Sequence, residues 1–346
     1  MTKGSCMKNF RLSSIWKIQL LTLLFLFSTI SVQVLQQAVS ENVKTQNENV
    51  LKNETQPDVY MTKSIDPAAL IKIYKALGRE LNGKVAVKIS TGEPGGHNYL
   101  APELIEDLVQ SVKGTIVECN TAYPGKRYTT EDHKKAAADH GFTAIAAVDI
   151  MDEDSSIALP FPQGKNIKED LVGSHFTNYD SFIILSHFKG HAMGGFGGAF
   201  KNMSIGIASA SGKMWIHTAG LTNKLSDFAK AFTTPQNNFL ESMAEAAGAV
   251  INSLGNKILY INVMNKLSID CDCSSNPAAP TMEDIGILAS LDPVALDQAC
   301  VDLVYKAHDG HDLIKRMEQK NAIHTIEHAA ELGLGKRSYK LIDIGK

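Results

Sequence analysis

Cysteine is scarce in this 346-residue chain, with five in all, and tryptophan scarcer still, with two. So few cysteines over such a length exclude a small scaffold in which disulfides stand in for a hydrophobic core. Aromatic residues make up only 7 % of the chain, no basic stripe is interleaved with them, and the formal net charge is −3, a combination that argues against nucleic acid as a partner. One apolar run alone, residues 18–35, approaches the ~20 residues that a membrane-spanning helix needs. Nucleotide fingerprints are missing too. With Gly195 and Gly197 as the first two glycines of a dinucleotide motif, Phe200 falls at the sixth position. Gly206 and Gly212 are separated by five residues, and Met214 stands where a phosphate loop needs Ser or Thr.

What is present begins with Lys8, Arg11 and Lys17, the apolar run, and then Ala38-Val39-Ser40, the order of a secretory signal over residues 1–40. The expectation is export, to a periplasmic or extracellular location; an uncleaved segment that anchors the protein is the alternative, and membrane contact is expected through this segment only. Cys6 lies before the apolar run, so no lipid-bearing Cys follows it. Residues 41–60 are rich in Asn, Gln and Glu without apolar periodicity and read as a disordered linker. Residues 61–346 are then enough for one large domain, or for two lobes sharing a core.

Strand and helix patterns alternate through that domain. Asp66-Pro67 and Asp292-Pro293 each place an N-cap before a first-turn proline, opening helices. Apolar runs at 85–89, 114–120, 142–150, 181–186, 257–264, 285–290 and 338–344 read as strands, and residues 152–172 as a hairpin-like excursion. The alternation predicts an α/β fold, a largely parallel sheet with helices on both faces in Rossmann-like layering. Ligands of such sheets bind beyond the carboxyl ends of the strands. That rim is expected to gather residues 91–99, Glu118 to Asn120, Asp149, residues 187–201, residues 265–273 and Asp292.

The most chemically loaded stretch is 181–213, SFIILSHFKGHAMGGFGGAFKNMSIGIASASGK. His187, Lys189 and His191 sit at the mouth of its strand. His187 and His191 are spaced as in zinc proteases, but Phe188 holds the place of the catalytic Glu and Gly190 disfavours a helix, so that reading fails. The pair could still ligate a metal, bind an anion with Lys189, or serve structural hydrogen bonds. Gly194, Gly195, Gly197 and Gly198 leave backbone amides bare enough to cradle a carboxylate or phosphate, with Lys201, Asn202 and Lys213 nearby; close packing of a loop on the sheet is the competing reading. Cys271 and Cys273, interleaved with Asp270 and Asp272, suit a soft metal or cluster, a disulfide, or free thiols. His187, His191, Cys271 and Cys273 together would make a four-ligand set for a transition metal such as zinc or iron. His97, on the glycine-rich loop 90–99, is a candidate for substrate contact and catalysis beside His187 and Lys189. Cys119 reads as a buried thiol before it reads as a nucleophile.

HFKGH followed by GGFGGAFKN, then INVMNKLSIDCDC, DIGILASLDPVALDQACVDLV and AAELGLGKRSYKL, resemble the DUF362 family over roughly residues 84–344. That family is uncharacterised, and many members carry a ferredoxin-like insert with 4Fe-4S cluster motifs. The resemblance therefore implies an iron–sulfur or redox role, with a separate electron-transfer partner. This chain departs from the pattern, because no Cys lies between Lys213 and Phe239. The expected function is a metal- or cofactor-dependent enzyme or redox protein with its site at the strand rim. The alternative is an exported module that binds a small anionic ligand without chemistry.

Overall fold

A computed structural model describes residues 56–345. The signal segment 1–40 and most of the linker read from the sequence lie outside the described residues. Twelve strands occur among those described. They are β1 (Asp58–Thr62), β2 (Val85–Lys88), β3 (Thr115–Glu118), β4 (Val148–Ile150), β5 (Ser156–Pro160), β6 (Glu169–Gly173), β7 (Ser181–His187), β8 (Lys189–His191), β9 (Gly195–Gly197), β10 (Ile258–Met264), β11 (Gly286–Ser290) and β12 (Lys340–Asp343). Eight of them form one sheet in the order β12-β1-β11-β10-β7-β2-β3-β4. From β10 to β4 all neighbours are parallel, and β1 pairs parallel with β12. Only β11 runs against its neighbours.

Burial follows the period of two that a covered sheet requires. In β7, Phe182 and Ile184 pack into one core while Ile183 and Leu185 pack into the other; Tyr260 and Ile261 of β10 divide in the same way. The first core lies under helices Gln236–Leu254 and Pro293–Lys306, the second under Pro67–Ala76 and Pro102–Ser111. Each buried Leu, Ile or Phe contributes roughly 1.5–3 kcal/mol over its exposed state, so the four fully buried apolar residues of β7, Phe182, Ile183, Ile184 and Leu185, anchor the sheet. Both capped helices form as their Asp-Pro pairs predict. Asp66 accepts from Ala69 N at 2.8 Å and Asp292 from Ala295 N at 2.9 Å. No described helix is long and apolar enough to cross a membrane.

Three expectations need correction. Residues 142–150 are a helical turn, Phe142–Ile145, followed by the three-residue β4; a short Ala-rich apolar run does not distinguish the two by periodicity. Residues 58–60, read as the end of the linker, belong to β1, which sits inside the sheet between β11 and β12. Because β11 is antiparallel, its carboxyl end lies at the opposite rim, and Asp292 there serves as an N-cap remote from the site. The hairpin foreseen at 152–172 is β5–β6.

The connection leaving β2 crosses one face through Pro102–Ser111 to reach β3, whereas that leaving β7 crosses the other through Gln236–Leu254 to reach β10. The strand order therefore reverses between β2 and β7. At such a switch point the two loops part and leave a crevice.

Candidate functional site

That crevice holds a cavity of about 300 Å³. Lys88 and Ser90 reach it from β2, Glu118 and Cys119 from β3, and Ser186, His187, Lys189 and His191 from β7 and β8. The sheet end is tied by Asn202, whose Nδ2 donates to Lys88 O at 3.0 Å, Leu185 O at 3.1 Å and Ser186 Oγ at 3.1 Å.

Glu118 is the hub of the charged floor. It is 4 % exposed, lies 2.9 Å from Lys88 Nζ and 3.5 Å from Arg127 Nη1, and accepts from Thr91 N at 2.7 Å. Burial alone would raise its pKa, but Lys88, His133 and Arg127 overcome that and hold the carboxylate well below its usual range. Arg127 also pairs with Glu93 at 3.0 Å, and Lys88 donates to Asn202 Oδ1 at 3.1 Å and to Ile89 O. Lys88 and Arg127 are thus neutralised within the floor.

A second group hangs on Asp272. Its Oδ1 meets His187 Nδ1 at 2.9 Å and its Oδ2 pairs with Lys189 Nζ at 2.8 Å. The opposing effects of burial, which raises its pKa, and of Lys189 and His187, which lower it, leave Asp272 ionised far below the carboxylate range. His187 Nε2 faces Asn265 O at 2.7 Å, so both ring nitrogens are engaged and neither lone pair is offered to a ligand.

Lys201 differs from these. Among the described residues its ammonium has no hydrogen-bond or ion-pair partner, and it lines the cavity next to Gly197, where an added Cβ would lie 3.3 Å from Lys201 Cδ and 3.9 Å from Lys189 Nζ. Burial, and then the like charge of Lys189, lower its pKa to about 7. Lys213 donates to Ala208 O at 2.6 Å, and burial lowers its pKa as well. His217, stacked on Phe239, is pushed by burial to about 4. Burial, then Lys201, hold His191 well below its usual value, while its Nδ1 accepts from Gly194 N at 2.8 Å. Five basic side chains, Lys88, Arg127, Lys189, Lys201 and Lys213, thus line the cavity, and three of them, Lys88, Arg127 and Lys189, are paired with the carboxylates Glu118, Glu93 and Asp272. The cavity is lined also by the apolar side chains of Met193, Ile205, Met214, Phe228 and Phe232. Phe232 is 67 % exposed and packs edge-on against Phe228.

Of the residues singled out from sequence, His187, Lys189, His191, Gly197, Gly198, Lys201, Asn202, Lys213 and Cys273 line this cavity. His97 does not. It is exposed, and among the described residues only its carbonyl is engaged, by Lys266 Nζ at 3.2 Å. Just past the glycine run, Asp297 accepts from Ala199 N at 2.8 Å and Phe200 N at 3.0 Å, and a Cβ on Gly198 would lie 2.5 Å from its Oδ1. Gly195, at φ +82°, packs 2.4 Å (as a built Cβ) from Ala322 Cβ, and Gly194 serves His191. Gly195 and Gly198 are thus closely packed against Ala322 and Asp297, while Gly197 lines the cavity beside Lys201.

Cys271 and Cys273 are joined as a disulfide, so the four-ligand metal set is not assembled. His191 and the two sulfurs do converge, with donor atoms all within 4.8 Å of one another, a group that could hold a metal ion once reduced; His187 stands outside it. Cys119 is a buried thiol whose Sγ lies 3.2 Å from Ile207 O, and burial drives its pKa far up, which removes it as a nucleophile. Sequence reasoning missed Lys88, Arg127, His217, Phe228 and Phe232. Lys88 carries a signal, a lone lysine within the buried strand VAVK; Arg127, in a polar loop, carries none.

No relative is found among curated proteins. Among solved structures the chain is similar to the lactate racemase apoprotein from Thermoanaerobacterium thermosaccharolyticum, with 17 % identity and a TM-score of 0.35, covering 59 % of this chain and 50 % of that one. It is similar also to a protein from Thermotoga maritima, with 11 % identity and a TM-score of 0.39, covering 77 % of this chain and 58 % of that one. The chain thus spans only half to three-fifths of those proteins. Residues 85–302, more than half of the chain, match the family described as a domain of unknown function, DUF362; the match stops short of the AAELGLGKRSYKL motif. The chain belongs to the DUF362 family.

Proposed function

We propose that the protein is an enzyme acting on a small organic anion with an apolar body, and that Lys201 transfers a proton at a position next to the anionic group. The observation that carries this is Lys201 itself, a buried cation without a partner among the described residues on the wall of a cavity that is partly open to solvent. A pKa of about 7 makes its amine available both as base and as acid near neutrality. Lys189, already fixed by Asp272, is placed to share the anion's charge, and Phe228, Phe232 and Met214 to cover the apolar end. The N-terminal signal pattern and a disulfide suit an exported setting, which is part of this proposal.

The test titrates the protein with aliphatic and aromatic monocarboxylates and with inorganic phosphate, by calorimetry, and follows each bound acid by proton NMR in deuterium oxide. The expected result is binding of apolar carboxylates in preference to phosphate, with solvent deuterium entering next to the carboxylate. Binding without exchange identifies a ligand-binding module instead, and no binding of any small anion sinks both readings.

A second reading rests on the convergence of His191, Cys271 and Cys273. Zinc or iron on that set requires two thiolates, and ligation by His191 costs the Gly194 hydrogen bond, which sets a penalty of about 1–3 kcal/mol. Elemental analysis after dialysis against zinc is expected to find metal only in reduced protein, and to find none once Cys271 and Cys273 are replaced by Ser. Metal retained by the oxidised protein would exclude this ligand set.

A further inference from the structure

The two sulfurs of the Cys271–Cys273 disulfide are not equivalent. Cys271 is 5 % exposed, is not among the residues that line the cavity, and its Sγ accepts from Cys273 N at 3.3 Å. Cys273 is half-buried and lines the cavity. An incoming thiolate must reach the sulfur it attacks, and the other sulfur must leave with the electron pair. Here the reachable sulfur is Cys273, and the one set to leave already faces a backbone N–H.

The bridge has little to do as a staple. It closes a loop across one residue, and in the chain-entropy view so short a loop stabilises only about half as much as a 15-residue loop does. The loop is pinned by other means. Asp272 holds His187 and Lys189, its carbonyl accepts from Glu93 N at 2.7 Å, and Cys273 O accepts from Tyr123 Oη at 3.3 Å. The bridge can therefore open while the loop stays in place.

We propose that Cys271 and Cys273 form a redox-active dithiol–disulfide centre that exchanges with dithiol reductants entering through the cavity, Cys273 being the sulfur attacked and Cys271 the sulfur released. In the first step a reductant thiolate attacks Cys273 Sγ; a reductant–Cys273 bond forms, the Cys273–Cys271 bond breaks, and the electron pair goes to Cys271 Sγ. In the second, the reductant's other thiol, deprotonated, attacks its own sulfur in that mixed disulfide and releases Cys273 as a thiolate. Both cysteines take protons from water. Two electrons and two protons pass to the protein, and the reductant leaves as its cyclic disulfide. This centre does not rest on the proton-transfer reading of Lys201.

The test incubates the folded chain with dithiothreitol, alkylates with iodoacetamide and maps the label by peptide mass spectrometry. Cys271 and Cys273 are expected to be labelled without denaturant while buried Cys119 and Cys300 are spared. Resistance of the pair until denaturant is added overturns the proposal, and this measurement needs no variant. Single variants test the asymmetry. The Cys273 thiol left by Cys271→Ser should be alkylated, and captured by glutathione disulfide, at least about tenfold faster than the Cys271 thiol left by Cys273→Ser. Equal rates, or the reverse order, refute the assignment of the two sulfurs.

Discussion

Lys201→Met is expected to weaken the binding of an apolar carboxylate by roughly tenfold to a hundredfold, the worth of one hydrogen bond to a charged group in a desolvated site, and to abolish deuterium exchange into the ligand. The pH dependence distinguishes this from a merely steric effect. Burial and Lys189 depress the amine to about 7 in the folded protein, against ~10.4 in the unfolded chain. Below pH 7 the ammonium is present and the anion binds fully. Above it the amine is neutral, and affinity falls by up to about tenfold per pH unit, with one proton taken up on binding. Calorimetry from about pH 6 to pH 9 should show this slope in the wild type, a flat and weak profile for Lys201→Met, and a flat but stronger one for Lys201→Arg, whose charge does not titrate. Stability moves the opposite way. Between about 7 and ~10.4 the unfolded chain holds a proton that the folded one lacks, so the wild type gains stability over Lys201→Met as pH rises through that window. A wild-type affinity independent of pH would remove Lys201 from the site.

The stretches whose burial is complete were the ones most legible in the sequence. The uninterrupted apolar runs that became β7 and β10, and the Asp-Pro pairs before two helices, signal local structure that tertiary context only confirms. Strand direction was less accessible. Residues 286–290 read the same either way, and the clue lay in the connection before them: 265–285 carries no helix, whereas parallel neighbours need a crossover that usually contains one. β1 was hidden because five residues flanked by polar ones find their partners in β11 and β12, far along the chain.

The site divides in the same manner. His187, Lys189, His191 and Lys201 sit at a strand exit, and a strand exit can be read locally. What each does depends on residues distant in sequence. Asp272 turns His187 from a candidate ligand into an engaged donor, and Asp297 packs against Gly198 and takes the amides of Ala199 and Phe200 just beyond the glycine run. His97 has the loop and the residue type of a substrate contact, yet nothing in spacing could say that the loop turns it outward. The Cys-X-Cys loop is consistent with metal, disulfide or thiols until the neighbours of each sulfur are known.

Glu118→Gln is expected to cost about 3–5 kcal/mol of folding stability, because it removes the charge of one partner from a buried ionic cluster and leaves the others uncompensated. The shape of the side chain is kept, so the loss reports charge. Lys88 and Arg127, 1 % and 4 % exposed, would then face each other across a neutral amide, with only Glu93 left to balance them. Urea titration should show a lower midpoint with an unchanged slope. The sign with pH is fixed by the direction of the shift. The folded carboxylate titrates well below its ordinary range, so its contribution is complete above the unfolded value of ~4.3 and is lost as pH falls through the folded one; wild type and Glu118→Gln should converge only in strong acid. Adding Lys88→Met to Glu118→Gln should recover part of the loss, since an apolar chain of similar volume carries no charge to strand. A cost for Glu118→Gln within about 1 kcal/mol, the range of an exposed pair, would mean that water reaches the cavity floor. The same result would release Lys88 as a second free cation for the ligand, and the anion affinity of the folded variant, measured beside that of Lys201→Met, decides how much of the binding charge the floor supplies.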